Sequence, residues 1–335
     1  MYKLLARLPI DRFIVLMLTM VALGSLLPAR GVGAVLAGHG VTVAIALLFF
    51  LHGARLSPQA ALEGARNGKL HLVIFLSTFA LFPVLGLGAR ALFPHLLPPE
   101  LWAGVILVCV LPSTVQASVA FTSIARGNVP AALCAATMSN LVGILLTPVL
   151  AGFLLSAGHG GISANAVGDI LLQLLLPFAA GQTLRPWIGA WSDRNRFVLS
   201  LVDRGSILLV VYTAFSEGMV AGIWHSLDVA TLLRLFVVNA VLLAAVLAAT
   251  TYASRRLGFS RADEITIVFC GSKKSLASGL PMASILFASS TVGLIVLPLM
   301  LFHQLQLMVC AALARRYAAG EPTRLPLNGP VPAAS

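Results

Sequence analysis

Two adjacent lysines, Lys273 and Lys274, lie within an apolar stretch of a strongly hydrophobic chain. A cation at the depth of a lipid bilayer costs roughly 2.5 to 3.5 kcal/mol on insertion scales. Two cations side by side therefore require a polar cavity, a bound anion or a lysine that gives up its proton. All three explanations indicate a function inside the membrane.

Enzyme chemistry has little support in the other reactive residues. Intramembrane enzymes use paired carboxylates, histidine-rich metal clusters or a serine and histidine pair. The chain has 11 acidic residues, nearly all at the ends of apolar segments, and no HExxH or Asp-rich motif. Its four cysteines, Cys109, Cys134, Cys270 and Cys310, lack the spacing of metal ligands. We therefore expect no enzyme, no catalytic residue, no metal centre and no cofactor.

The elements around the lysines are predicted to be transmembrane helices. Of 335 residues, 59% are hydrophobic and 10% are charged, and the mean hydropathy is +0.97. A hydrocarbon core about 30 Å thick needs about 20 apolar residues per helix. The sequence offers ten candidate spans, at about 13–29, 34–53, 70–92, 101–124, 129–156, 166–186, 204–225, 229–253, 264–286 and 290–314.

A net charge of +11 could indicate a nucleic-acid partner, but the placement of the cations favours a membrane topology. Nearly all lysines and arginines outside the spans lie at one set of span ends, and only Arg30, Arg90 and Arg234 lie at the other. Positive residues are retained on the cytoplasmic side. We expect a multi-pass protein of the inner (plasma) membrane with both termini in the cytoplasm, and no nucleic-acid partner.

An internal repeat divides the chain. VGILLTPV begins at residue 142 in the fifth span and VGLIVLPL at residue 292 in the tenth. Five spans per half place the halves in opposite orientations, as in inverted-repeat transporters, although two apolar helices can share so short a frame by chance. We expect one repeat at 1–156, a second at 157–317 and a disordered cytoplasmic tail at 318–335.

The fourth and ninth spans, next to last in each half, are interrupted by small and polar residues. LPSTVQAS covers 111–118 and CGSKKSLASGLP covers 270–281. Proline removes a helix hydrogen bond and glycine loosens the backbone, so both spans are predicted to unwind, near 112–116 and 271–274. An ordinary kink explains either break alone. Matching breaks in both halves favour a transport site.

These segments resemble the bile acid:sodium symporter family, through FFLHGARLS, FALFP, AGVILVCVLPSTVQAS, ARGNV and LLPFAAGQTLRPW. CGSKKSLASGLPMA resembles the branch that includes a yeast regulator of calcium uptake and proteins like sodium/bile acid cotransporter 7. The resemblance implies an all-α membrane fold of ten helices in two inverted five-helix repeats. It also implies a panel domain from spans 1, 2, 6 and 7, a core domain from spans 3–5 and 8–10, and broken helices four and nine that cross.

The resemblance also implies where sodium ligands of the family fall in this chain. Ser118 takes the position of a coordinating serine, but Val119 replaces the asparagine expected next. The ninth-span pattern Glu-x-Gly-x-Gln-Asn falls on 269–274, so Phe269 replaces the carboxylate and Lys273 the glutamine. The other positions are Ala132 and Ala136 in place of two hydroxyls, with Thr137 adjacent, and Thr78 in place of a glutamine.

Sodium prefers hard, anionic oxygen ligands, and an ammonium nearby would repel it. Sodium is therefore possible but doubtful as a coupling ion. A lysine can instead act as a tethered cation among carbonyls and hydroxyls, carry a coupling proton, or bind a substrate anion. Glu217 either faces the crevice between panel and core or is exposed to water. The candidate binding residues are Thr78, Ser113, Thr114, Gln116, Ser118, Thr137, Ser139, Asn140, Glu217, Ser272, Lys273, Lys274, Ser275, His303 and Gln304.

The function predicted from these residues is secondary transport of an organic anion, similar to a bile acid or a steroid conjugate, by alternating access. The alternative is a sodium-independent regulator of calcium entry with an unknown solute. The sequence leaves open the substrate, the coupling ion and the oligomeric state.

Overall fold

A computed structural model describes residues 12–55, 67–156, 164–222, 227–287 and 289–319. Within these ranges the chain forms helices joined by short turns, and none of these residues lies in a β-strand. The helices are α1 Arg12–Leu26, α2 Val32–Arg55, α3 Gly68–Leu76, α4 Phe82–Leu92, α5 Pro99–Val110, α6 Val115–Ile124, α7 Val129–Ser156, α8 Ala164–Arg194, α9 Arg196–Val220, α10 Val229–Arg256, α11 Arg261–Gly271, α12 Leu276–Leu286 and α13 Ser289–Ala319.

Six continuous helical segments in the described ranges are long and apolar enough to cross a membrane. They are α2, α3 with α4, α7, α9, α10 and α13. The pair α5 and α6, bent by 61°, makes a seventh if it forms one span. The fold is thus all-helical with several potential membrane spans. The grouping into ten spans and two inverted halves remains a prediction.

The predicted C-terminal tail lies only in part within the described residues. α13 continues through Ala319, two residues into the tail predicted at 318–335. The rest of that tail, 320–335, lies outside the described residues, as does 157–163, where the second half was predicted to begin.

Several helices begin at side-chain caps that accept a hydrogen bond from an amide in the first turn. Asn67 caps α3 and Asp228 caps α10 in this way. Ser260 accepts from the Asp263 amide at the start of α11, and Ser275 accepts from the Ser278 amide at the start of α12. Such caps satisfy amides that have no partner within the helix. The Ser275 cap allows a new helix to start inside an apolar segment.

A five-residue π-helical turn, Ser77–Leu81, joins α3 to α4. A π turn widens the helix and changes which backbone carbonyls are bonded within it. The carbonyl of Thr78, inside this turn, accepts a hydrogen bond from another part of the chain. The turn therefore supplies a backbone oxygen to the interior.

The closest helix packing joins α2 to α8, and α9 packs against both α1 and α2. A Cβ atom added to Gly53 would overlap the Phe178 carbonyl oxygen, and one added to Gly181 would overlap the Phe50 carbonyl oxygen. Small residues allow two membrane helices to approach closely. The two glycines therefore set the distance between α2 and α8.

The first prediction concerns this contact. Gly53→Ala should lower the unfolding midpoint of the purified protein, because the added methyl group forces the α2 and α8 backbones apart. Gly38→Ala, in the same helix, is the matched control, since a Cβ atom there meets nothing within 4 Å. It should leave the midpoint unchanged or raise it, because alanine favours helix by about 1 kcal/mol over glycine. Equal effects of the two substitutions in a thermal-unfolding assay would contradict the packing described.

Candidate functional site

Two helix breaks lie where the sequence predicts them, with small shifts. The first covers Leu111–Thr114, between α5 and α6, and the second covers Ser272–Ser275, between α11 and α12. The predicted windows extended to Gln116 and began at Gly271. Gln116 instead lies in the first turn of α6, exposed, and Gly271 is the last residue of α11. Both corrections follow from where helical hydrogen bonding resumes or ends.

The two breaks contact each other directly. The Ser275 amide donates to the Pro112 carbonyl at 2.9 Å, and the Thr114 hydroxyl donates to the Lys274 carbonyl at 2.8 Å. In addition, the Ser113 hydroxyl donates to the Cys270 carbonyl at 2.7 Å. Each unwound segment thus satisfies backbone groups of the other. Non-helical backbone at membrane depth requires such partners.

The Lys274 side chain is fully buried between the breaks and the π turn. Its Nζ donates to the carbonyl oxygens of Thr78 at 2.7 Å, Cys109 at 2.8 Å and Leu111 at 2.8 Å. It also lies 4.1 Å from the centroid of the Phe82 ring. An ammonium has three donors, and all three are used. These contacts are those expected of a tethered cation among carbonyls, a role that stays a prediction for the lysine pair.

Side chains of the second helix after each break hold its backbone. The Gln306 side chain, in α13, accepts from the Lys274 amide at 2.8 Å and donates to the Lys274 carbonyl at 2.9 Å. In α7, Ser139 accepts from the Ser113 amide at 3.0 Å, and Asn140 donates to the Ser113 carbonyl at 2.6 Å. One residue in each break is thus held through both its backbone N–H and its backbone C=O. We call Lys274, Ser113, Ser139, Asn140 and Gln306 the crossing centre.

Lys273 has a different environment. Its side chain is also fully buried, but no hydrogen-bond acceptor for its Nζ is recorded among the described residues. The Nζ lies 4.5 Å from the ring centroid of Phe121 and 5.0 Å from that of Phe269. Contacts with aromatic faces offset only part of the cost of burying a cation. The two lysines, alike in sequence, therefore differ in hydrogen bonding.

Other predicted residues join the crossing centre to different extents. Ser118 and Ser113 have their hydroxyl oxygens 3.2 Å apart. Ser275 and Ser278 form a hydroxyl pair at 3.1 Å, and Ser278 donates to Asn140. Ser272 is fully buried, with no hydroxyl partner recorded in the described ranges. Most of the predicted serines therefore lie in the crossing centre or next to it.

Five other predicted residues make different contacts or lie apart from the crossing centre. The Thr78 hydroxyl donates to Ile74 within its own helix, so Thr78 contributes a carbonyl rather than a side chain. The Thr137 hydroxyl likewise donates to Leu133. His303 contacts Gln306, with 2.9 Å between Nδ1 and Nε2, whereas Gln304 has no recorded acceptor for its Nε2 in the described part. Glu217 lies half-buried near the end of α9, a helix that packs against α13.

Three positions that the family resemblance assigns to sodium ligands, Val119, Ala132 and Phe269, carry apolar side chains in apolar clusters. Ala132 and Cys270 belong to one buried apolar cluster, against which Val119 packs. The Cys270 thiol contacts the Ala132 carbonyl at 3.7 Å. Phe269, in the place of the carboxylate, is fully buried in a second apolar cluster. Sodium needs several oxygen ligands, and these side chains provide none.

Residues 11–319 match the model of the SBF-like CPA transporter family. The chain belongs to this family. The resemblance to bile acid:sodium symporters is thereby confirmed, and the names of the family and of its relatives indicate a membrane transporter rather than an enzyme. The link to the yeast regulator of calcium uptake remains a prediction.

Relatives within the family align over nearly their whole length. A Pseudomonas aeruginosa protein named "Uncharacterized protein PA2026" is 56% identical over 309 residues, which cover 92% of this chain and 93% of the relative. The Escherichia coli protein "Putative symporter YfeH" is 53% identical over 308 residues, covering 92% and 93%. "Sodium/bile acid cotransporter 7" of Rattus norvegicus is 28% identical over 317 residues, covering 93% of each chain.

Sequence reasoning missed the most important acceptors of this family member. The carbonyls of Cys109 and Leu111 carry no side-chain signal, because any residue offers the same oxygen. Gln306 carries a signal in the sequence, since it is an amide in the tenth predicted span, but residue type alone does not rank it above Gln304. Gln306 lies about one helical turn from His303. Gln304 is two residues before Gln306, so the two side chains are separated by about 200° around the helix axis.

The second prediction tests the Gln306 contact. Gln306→Leu should destabilise the protein by about 1 to 3 kcal/mol, because the Lys274 N–H would be buried without a partner and its C=O would keep only the Thr114 hydroxyl. Gln304→Leu removes the same group two residues away and should cost little. Chemical or thermal unfolding of the purified variants measures the difference. A cost for Gln304→Leu as large as for Gln306→Leu would show that the contact with Lys274 has no special role.

Proposed function

We propose that the protein is a secondary transporter of an organic anion that works by alternating access and without sodium. In this proposal the chain forms ten spans in two inverted five-helix repeats, with panel and core domains. It lies in the inner (plasma) membrane with both termini in the cytoplasm. The observation that carries the proposal is the Lys274 ammonium, hydrogen-bonded to three backbone carbonyls between two broken helices.

The broken helices support a transport site. Inverted-repeat transporters bind substrate and coupling ions where discontinuous helices expose backbone groups. Here two breaks contact each other, and a π turn adds a third source of free carbonyl oxygen. Serine hydroxyls and the Asn140 amide surround them. Such a set of oxygens is suited to a cation.

Lys274 supplies that cation from within the chain. Three carbonyl oxygens lie 2.7 to 2.8 Å from its Nζ. A sodium ion bound to the same oxygens would lie next to the ammonium and would be repelled by it. The apolar cluster around Ala132 and Cys270 supports the same inference, since the family's ligand positions there offer no side-chain oxygen. A permanently attached cation removes the requirement for an external one.

Lys273 is the proposed partner of the transported anion. Its buried Nζ has no recorded acceptor in the described residues, so an anionic group could supply the missing hydrogen bonds. In the conformation described, Phe121 and Phe269 cover it, so the anion reaches it only in another state of the transport cycle. The names of cotransporter relatives, which include bile acids, support an organic anion as the class.

Flux through purified protein in liposomes tests this function. Taurocholate, estrone sulfate and succinate represent bile acids, steroid conjugates and short organic acids. We expect uptake of at least one of them above protein-free liposomes, and exchange with the same compound preloaded inside. Absence of flux for all three, with folded protein in the liposomes, would contradict the proposal and favour the alternative role in calcium entry.

The third prediction distinguishes the two lysines by replacing each of them with methionine. Lys274→Met should lower stability by about 1 to 3 kcal/mol, because buried carbonyls lose their donor. Lys274→Gln should cost less, since an amide still donates. Lys273→Met should leave stability unchanged or raise it, because it removes an unpaired buried amine, but it should abolish the flux measured above. Unfolding midpoints that fall equally in both methionine variants would refute the assignment.

A further inference from the structure

A cavity of about 590 Å³ lies between the last turns of α10 and α13. Its lining shares no residue with the crossing centre. The apolar floor is formed by Leu247, Ala248, Val309, Ala312 and Leu313, and the polar part by Thr251, Tyr252, Arg255 and Arg316. We call it the arginine-rimmed cavity.

Positive charge at the rim exceeds the negative charge nearby. Glu264 forms ion pairs with Arg255 at 3.1 Å and Arg261 at 2.9 Å, and it accepts from Tyr317. One carboxylate thus serves two guanidinium groups. The bonds of Arg255 to Glu264 use Nε and Nη2, which leaves Nη1 for a further acceptor. No ion pair of Arg316 is recorded among the described residues, so the rim retains net positive charge.

The floor is apolar and open to the outside of the helix bundle. Val309 is 40% exposed and its neighbour Met308 is 71% exposed. In a multi-pass membrane protein such side chains face lipid rather than water. The Tyr252 ring, 62% exposed, has the Arg256 guanidinium 5.1 Å from its centroid. Tyrosine and arginine together are typical of the interface between hydrocarbon and headgroups.

We propose that the arginine-rimmed cavity binds a phospholipid with an anionic headgroup. The phosphate accepts hydrogen bonds from Arg316 and from the free edge of Arg255, and an acyl chain lies along Val309, Ala312 and Leu313. Basic pockets between transmembrane helices recognise anionic lipids by this combination of charge and apolar surface. The lipid would contact both α10 and α13, which carry opposite walls of the cavity.

The charge and the apolar floor together favour lipid over a soluble anion. A free phosphate would use the arginines and leave the apolar floor exposed. A transported anion is assigned to Lys273, whose environment shares no residue with this cavity. The test therefore compares lipids with one another and with soluble anions.

Native mass spectrometry of the full-length protein measures lipid binding directly. The detergent-solubilised protein is titrated with phosphatidylglycerol and, separately, with phosphatidylethanolamine. We expect tighter binding of phosphatidylglycerol. Arg316→Gln should weaken it about fivefold, the factor that corresponds to about 1 kcal/mol for one basic residue at a membrane surface.

Two further variants distinguish the cavity from general charge attraction. Ala312→Trp keeps the charge and fills the floor, so it should weaken phosphatidylglycerol binding as well. Arg315→Gln removes the same charge at the neighbouring position of α13, outside the cavity lining, and should leave binding unchanged. Equal unfolding midpoints in lipid-free detergent would show that the variants remain folded.

Three results would overturn the proposal. The first is binding of phosphatidylethanolamine as tight as that of phosphatidylglycerol, which would show that the headgroup charge is not recognised. Arg315→Gln could weaken binding as much as Arg316→Gln, which would indicate diffuse electrostatics. Inorganic phosphate or estrone sulfate could displace the lipid in competition, which would assign the cavity to a soluble anion.

Discussion

The buried ammonium of Lys274 is the interaction on which the arrangement of the crossing centre depends. An isolated charge away from water costs several kcal/mol, and the three hydrogen bonds of Lys274 to carbonyl oxygens offset that cost. Regular helices cannot offer those acceptors, since their carbonyls are already bonded internally. The end of α5 and the π turn before α4 release three of them, at Thr78, Cys109 and Leu111. The helix irregularities and the lysine therefore stabilise one another.

The same constraint applies to the unwound peptides. Each break exposes amides and carbonyls that have no partner along their own helix, and these groups find partners in the other break and in the second helix that follows. Gln306 forms hydrogen bonds with both the N–H and the C=O of Lys274, while Ser139 and Asn140 bond to those of Ser113. The two breaks are thus stabilised by similar chemistry. Movement of one break would change the hydrogen bonding of the other, which couples them mechanically.

Sequence reasoning reached those features that side-chain chemistry marks. Pro112 and the polar residues around Lys273 and Lys274 predicted both helix breaks, because proline, glycine and charge are costly in an apolar helix. It could not tell the two lysines apart, since their difference arises from backbone carbonyls distant in sequence. Thr78 contributes its backbone carbonyl while its hydroxyl bonds to Ile74, and the sequence does not rank Gln306, which contacts Lys274, above Gln304. Residue type does not show toward which side of a helix a side chain points, or which backbone carbonyl accepts a hydrogen bond.

Sodium dependence of the unfolding midpoint tests the central claim most directly, because it requires no knowledge of the substrate. The purified protein is heated in sodium chloride and in choline chloride at equal ionic strength, over a series of concentrations. A ligand that binds only the folded state raises the midpoint in a saturable way. If Lys274 takes the place of the coupling ion, the midpoints in the two salts should coincide at every concentration. A saturable rise in sodium alone would show a bound sodium ion and contradict the account.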